Sequence, residues 1–212
     1  MSDARQRVID GALDLFARQG YAGTSVAQIE KAAGLTPGAG GLYAHFDSKA
    51  EVLAAAIERS ETLADMGYAM LDALPLGDLR AELTLIARGS FVLFDAAQSW
   101  IRLALREGDQ FAELFADAHE RVASRPYRYL ADLLASKVNA SELDEHDPQA
   151  IADILLGAIS TYWMQSRIFN WHPNDVGQER FITAWVDLAL RLAPQPPPDT
   201  PAKRRSRMKR SS

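Results

Sequence analysis

An all-α chain of nine or ten helices in two packed groups is predicted by three observations on this 212-residue sequence. Apolar residues recur at i, i+3, i+4 and i+7 in segment after segment, which is the repeat of one helix face. Period-two runs rich in β-branched residues, the mark of strands, do not occur. Glycine, proline and Ser/Thr capping residues punctuate the pattern at helix starts and stops.

Each element follows from these signals. Val8, Ala12, Leu15 and Phe16 share one face of a first helix, which Gly20 ends. Thr24 or Ser25 caps a second helix, and Ser25 with Gln28 matches a capping box. Val26, Ile29 and Ala33 give that helix its inner face. A glycine-rich turn from Gly34 leads to a third short segment built on Leu42, Tyr43 and Phe46. Ser48 and Glu51 form another capping box, opening a long helix that runs to about Ala73, where Pro75 and Gly77 break it. Further helices are expected over Leu79–Phe94 and Gln98–Arg106. A long one is expected over Phe111–Lys137 with a kink or break at Pro126. Pro148 sits at the start of a helix to Phe169, and a last helix covers Val176–Leu192. The tail from Pro194 is rich in proline and cations and too poor in apolar residues to offset its ordering entropy, so it is expected to be disordered.

Composition narrows the function. A hydrophobic content of 48% with 24% charged residues suits a globular core. The chain has no cysteine, which excludes disulfides, zinc–thiolate sites and a cysteine nucleophile and suits a reducing cytoplasm. The N-terminus lacks an apolar segment of the secretory kind, and no apolar run approaches the roughly twenty residues of a membrane span. The four histidines are scattered, and neither a Gly-x-Ser-x-Gly elbow nor a Walker loop is present. The glycine run follows a helix and not a strand, which argues against a dinucleotide loop. No cofactor and no catalytic residue is expected.

The net charge of −5 is unevenly spread. The tail holds Lys203, Arg204, Arg205, Arg207, Lys209 and Arg210 against Asp199, which leaves −10 on residues 1–193. Residues 1–50 are neutral, with Arg5, Arg7, Arg18, Lys31 and Lys49 balanced by acids. A neutral head on an acidic body meets phosphates when its cations share a face. Two short helices across a glycine turn, braced by longer neighbours, form the arrangement that places one helix in a DNA groove. The first fifty residues are therefore expected to be a helix-turn-helix.

The ordered set Ile9, Ala12, Leu15-Phe16, Gly20, Thr24-Ser25, Ile29, Ala32-Ala33-Gly34, Leu42-Tyr43, His45-Phe46 and Ser48-Lys49 resembles the DNA-binding domain of the tetracycline-repressor (TetR) family. The resemblance implies a homodimeric cytoplasmic transcriptional regulator, usually a repressor. Its helical C-terminal bundle would bind a small-molecule effector that lowers affinity for a palindromic double-stranded operator. It implies a DNA-binding domain over residues 1–50 and a ligand-binding and dimerisation domain over 51–193, and composition marks off a disordered basic tail over 194–212. The sequence departs from the family at the recognition helix: Thr36-Pro37-Gly38-Ala39-Gly40-Gly41 precedes Leu42, two residues more than usual, and Gly41 stands where a polar residue often faces the bases. A Pro-Gly-Ala-Gly-Gly variant of the family has this spelling.

For DNA, Thr24 and Ser25 offer hydroxyls at a helix start, Tyr43 and His45 reach toward the backbone, and Lys49 is a phosphate anchor. Thr24, Ser25 and Ser48 serve equally well as caps. For bases the chain offers Thr36, Pro37 and Ala39, with Gly38 and Gly41 allowing close main-chain approach. Three glycines cost a helix about 1 kcal/mol each against Ala, so the recognition helix is expected to start late, near Ala39, or to firm up only on DNA. The tail is either a phosphate arm or solvated. A non-specific DNA-binding, architectural protein is the alternative to a regulator.

In the body, Met66, Met70, Phe91, Phe94, Trp100, Phe111, Phe115, Tyr162 and Trp163 suit an apolar cavity and equally suit ordinary core. Leu155, Ile159, Phe169, Phe181, Trp185, Leu188 and Leu192 recur at helical spacing on the last two helices and suit a two-fold dimer contact. Ligand in the body is expected to tilt the helix that starts at Ser48.

Overall fold

The computed structural model describes residues 3–68, 76–118, 120 and 124–192, without the side chains of 60–68, 117 and 118. The tail from 194, all of Met70 and the side chain of Met66 lie outside the described residues. The described residues form helices and turns with no strand. In chain order the helices are α1 (Asp3–Gln19), α2 (Val26–Ala32), α3 (Lys49–Tyr68), α4 (Leu79–Ala96), α5 (Gln98–Glu107), α6 (Ala112–Ala118), α7 (Ser124–Asn139), α8 (Pro148–Trp163) and α9 (Gln178–Leu190). A single 3-10 turn, Leu42–Ala44, stands between α2 and α3, and α8 runs on into a π-helical turn, Met164–Ile168.

The ends are set by local chemistry. Ser25 and Gln28 form the capping box of α2. The Ser48 Oγ accepts from the Glu51 N–H at 3.1 Å, while the Glu51 carboxylate reaches back to the N–H of Asp47, one residue earlier than a standard box. Asp78 and Asp147 cap α4 and α8 through their carboxylates. The segment expected as a long helix over Phe111–Lys137, with a kink or break at Pro126, is described as α6 and α7, and residues 119 and 121–123 between them lie outside the described residues. Pro126 lies in the first turn of α7, where its missing N–H leaves no intrahelical bond unmade. No helix among the described residues is long and apolar enough to cross a membrane.

Two cores result. The body core is built from α4, α7, α8 and α9 around Phe91, Leu130, Leu134, Leu155, Ile159, Trp163 and Trp185. The head core joins Val8, Ile9, Phe16, Ile29, Leu42, Phe46 and Leu53 to Trp100, Leu103 and Phe115. The head therefore borrows α5 and α6 to close its core, and α1 packs on both α3 and α5.

A buried charge cluster pins the far end of the body. Glu82 is fully buried; one carboxylate oxygen accepts from the N–H groups of Leu76 and Gly77 at 2.7 and 2.9 Å, and the other lies 3.5 Å from the Lys137 ammonium. Lys137 also donates to Glu142 at 3.0 Å. The Glu142 hydrogen bond first, and the Glu82 charge after it, hold Lys137 above the ordinary lysine value of 10.5 against the opposing effect of burial. A raised lysine contributes stability that is complete below that ordinary value and is lost as pH climbs through the folded one. Lys137→Met strands the Glu82 charge in the interior and is expected to cost about 3–5 kcal/mol in chemical unfolding. A loss below about 1 kcal/mol would show that Glu82 is not held as a charge.

Candidate nucleic-acid interface and effector cavity

The segment after α2 is organised by one acid. Gly34 ends α2 at φ +72°, with Gly34 N–H to Lys31 C=O and Leu35 N–H to Glu30 C=O, a Schellman motif. Thr36-Pro37-Gly38-Ala39 then has the features of a type II turn: proline second, glycine third at φ +77°, and the Ala39 N–H on the Thr36 C=O at 3.2 Å. Gly40 repeats the left-handed conformation at +75°. The Glu30 carboxylate, buried beneath this loop, accepts from Gly38 N–H at 2.6 Å and from Leu42 N–H at 3.1 Å. Those two bonds, Leu42 first, hold the Glu30 carboxyl below its ordinary value, and the N–H groups of Gly41 and Gly40 add to the effect.

The recognition helix is thus a loop with one 3-10 turn, which corrects the expectation of a short helix beginning near Ala39. Two left-handed glycines interrupt any α-helix there, and the carboxylate takes the N–H groups that a helix would direct elsewhere.

The predicted DNA-contact residues divide accordingly. Thr36, Pro37, Gly38 and Ala39 are an exposed run, Tyr43 is 57% exposed, and Ser25 is exposed. His45 is half-buried. Thr24 is buried, and its hydroxyl donates to the Gly20 C=O at 2.7 Å, so it acts as internal bracing. Lys49 is likewise engaged: its ammonium donates to the C=O groups of Tyr21 and Thr24 at 2.8 and 2.9 Å and lies over the Tyr21 ring. Gly41 faces inward, where a Cβ would meet Leu35 at 3.3 Å. Arg5 stacks on Phe46, and Arg7 donates to the Ala33 C=O. Lys31 and Gln28, which the sequence did not mark as DNA contacts, are exposed on α2.

In the body, a cavity of about 230 Å³ opens between α4, α5, α7 and α8. Phe94, Trp100, Tyr127, Leu156, Trp163 and Met164 are among the residues of its wall, and none of the described lining residues is charged. The two serines in the wall donate their hydroxyls to helix carbonyls, Ser90 to Ile86 and Ser160 to Gly157, so their oxygens remain as acceptors. The Trp163 indole is fixed by Asp95 at 2.8 Å, a carboxylate it shares with Arg167. Of the predicted pocket residues, Phe94, Trp100 and Trp163 line this cavity. Phe91 and Tyr162 lie one layer deeper, in an aromatic stack with Phe181. Phe111 and Phe115 belong instead to the head side, Phe111 against Tyr21 and Phe115 against Trp100, because α6 turns its apolar face toward α3.

Helix α5 has a second face, set against α1. Ser99 donates to Asp14 at 2.9 Å, Arg106 donates to the Arg18 C=O at 2.8 Å, and the buried Glu107 accepts the Tyr21 N–H at 2.9 Å. Gly20 sits beside the last pair at φ +83°, where a Cβ would come within 2.8 Å of the Glu107 carboxylate. The cavity and the head thus share one ten-residue helix.

On the last two helices, Leu155, Ile159 and Trp185 point into the subunit's own core, and the Trp185 indole donates to the Leu155 C=O. Phe181 and Leu192 are half-buried against the same core. Leu155, Ile159 and Trp185 are therefore corrected to intrasubunit residues, while Phe181 and Leu192 keep part of their surface uncovered. Leu188 and Phe169 are exposed, 59% and 63%, and so is Ile154, at 63%. Ala158, Thr161 and Ala184 are exposed between them.

Comparison with known proteins decides the family. Residues 8–56 match the N-terminal model of the bacterial regulatory proteins, tetR family, and residues 82–192, just over half of the chain, match the AefR-like transcriptional repressor C-terminal domain. The chain belongs to the TetR family. The HTH-type transcriptional regulator AcrR of Shigella flexneri is 43% identical over 60 residues, 28% of this chain and 27% of that protein. The HTH-type transcriptional regulator SrpR of Pseudomonas putida is 29% identical over 142 residues, 66% of this chain and 64% of that protein. The matches therefore span about a quarter and just under two-thirds of these curated relatives. The crystal structure of AibR in complex with isovaleryl coenzyme A and operator DNA aligns at TM-score 0.62 and 19% identity, over 87% of this chain and 97% of that one, which shows the shared fold. The matching families and relatives are transcriptional regulators, not enzymes.

Within this TetR-family head the main residue missed by sequence reading is Glu30. Its signal was present: an acid on the inner stripe of α2, beside Ile29 and three before Ala33, just ahead of a glycine run that exposes several N–H groups. Glu107 left no such trace, because its partner is a backbone N–H 86 residues away.

Proposed function

We propose that this protein is a ligand-responsive transcriptional repressor that binds a palindromic operator as a homodimer and leaves it when a small, uncharged, largely apolar molecule occupies the body cavity. The observation that carries the reading is the double role of α5, which walls the cavity through Trp100 and Ile101 and holds α1 through Ser99, Leu103, Arg106 and Glu107. An occupant that displaces α5 by a fraction of an ångström must disturb one of two packed surfaces, since packed interfaces do not deform smoothly. The relative AibR, solved with both an acyl-coenzyme A and operator DNA, supports an effector role for the same fold.

DNA binding is assigned to residues 1–50, with the exposed loop Thr36–Ala39 at the bases and with Ser25, Tyr43, Lys31 and Gln28 at the backbone. This is a Pro-Gly-Ala-Gly-Gly form of the recognition segment. Effector binding and dimerisation are assigned to 51–193, and the basic residues of 203–210 to added phosphate contacts. The dimer face is assigned to Ile154, Ala158 and Thr161 of α8 with Ala184 and Leu188 of α9, continued by Phe169. Small residues between Ile154 and Leu188 let two helix pairs approach closely as a four-helix bundle.

Filling the cavity from within tests the coupling without knowledge of the effector. Ser160→Phe is expected to weaken operator binding by about five- to 150-fold, the range of ordinary allosteric coupling, with the protein still folded and dimeric. Operator affinity unchanged in a folded Ser160→Phe would refute control through this cavity. Operator sequence comes from selection on randomised duplexes, where an inverted repeat marks a regulator and the absence of any motif marks an architectural protein.

Leu188→Glu is expected to yield a folded monomer in light scattering. Trp185→Ala, by contrast, should lower stability by about 3–5 kcal/mol because it empties core space. A Leu188→Glu dimer as tight as the wild type would move the interface elsewhere.

A further inference from the structure

Glu30 is a buried acid that forms no ion pair among the described residues: its carboxylate is met by backbone N–H groups of the segment 38–42. The two oxygens serve different ends of the loop, Oε2 the Gly38 end and Oε1 the Leu42 end, so the side chain is a crossbar between them. The Glu30 C=O also accepts the Leu35 N–H at 2.8 Å, so one residue ties the start, middle and end of the segment. Gly38 and Gly40 adopt left-handed conformations with nothing within 4 Å of where a Cβ would stand, so backbone conformation and not lack of room requires glycine there. The N–H groups gathered in this way form a cradle of the kind that receives anions, and here the chain's own carboxylate occupies it. The residues outside the cradle, Thr36, Pro37 and Ala39, are the exposed ones.

We propose that Glu30 is the positioning residue for base readout: its carboxylate, in place of a recognition helix, holds loop 36–41 in the shape that presents Thr36, Pro37 and Ala39 to the groove. This rests on the operator-binding reading of the head. Only an ionised carboxylate offers an acceptor oxygen to each end of the loop; an amide at position 30 would turn an NH2 group toward one of the N–H donors.

The test uses the full-length protein and two duplexes of equal length, one selected by the wild type from a random library and one a scrambled version of it. Dissociation constants are measured at one salt concentration for wild type, Glu30→Gln and Gly40→Ala. Glu30→Gln is expected to lose about tenfold or more on the selected duplex, the scale of a base contact, and to stay within about twofold on the scrambled one, where phosphate contacts dominate. Gly40→Ala, which strains the left-handed turn outside the exposed run 36–39, is expected to lose discrimination in the same way, and it decides the matter should Glu30→Gln not fold. A discrimination ratio unchanged in either folded variant, or an equal loss on both duplexes, overturns the inference. A wild type that selects no motif removes the operator reading and this inference together; a wild type with a motif and variants of unaltered ratio removes this inference alone.

Discussion

Helix α5 closes two hydrophobic cores at once, and the rest of the molecule is arranged around that constraint. Ile101 packs against both, and Trp100, buried in the head core against Phe115, also walls the cavity in the body. A head of about fifty residues is too small to bury much of its own surface, so Trp100, Leu103 and Phe115 supply what α1, α2 and the start of α3 lack. The polar bonds at the edge of this contact run in series, from Asp14 through Arg18 to Tyr21, along the last turns of α1 and just beyond it. Head stability and cavity geometry are therefore not independent quantities.

The head itself gives up a helix and replaces it with a scaffolded loop. Glycines at 38 and 40 exclude an α-helix, and the freed N–H groups need an acceptor because buried donors without partners are costly. Glu30 supplies it. The head cations largely serve the fold: Lys49 is bound to two carbonyls and a ring, Arg5 lies on Phe46 and Arg7 on the Ala33 carbonyl.

Much of this fold was legible in the letters because local signals agreed with one another. The capping pairs at Ser25 and Ser48, the stops at Gly20 and Gly34 and the helix start at Pro148 each act within a few residues. What stayed hidden acts at long range or depends on which face of a helix wins. Leu155, Ile159 and Trp185 recur at helical spacing, yet periodicity cannot say whether the buried face meets the subunit's own core or a partner. Lys49 looked like a phosphate anchor because its carbonyl partners come from Tyr21 and Thr24, more than twenty residues upstream. Phe111 and Phe115 looked like cavity lining because the direction in which α6 packs is a tertiary fact. The shared wall of α5 was invisible for the same reason: its two faces are both apolar in part, and only packing assigns one to the head and one to the cavity.

Amide hydrogen exchange at Tyr21, whose N–H is bonded to Glu107 at the end of α5, reports most directly on the link between cavity and head. Benzene enters apolar cavities of this class, and shifts of the Trp100 and Trp163 indole resonances report its arrival. With the cavity occupied, the Tyr21 amide is predicted to exchange about fivefold faster or more, the lower bound of measurable coupling, while amides of the α4–α8 core hold or gain protection. Exchange at Tyr21 that stays the same with benzene bound would contradict transmission through α5.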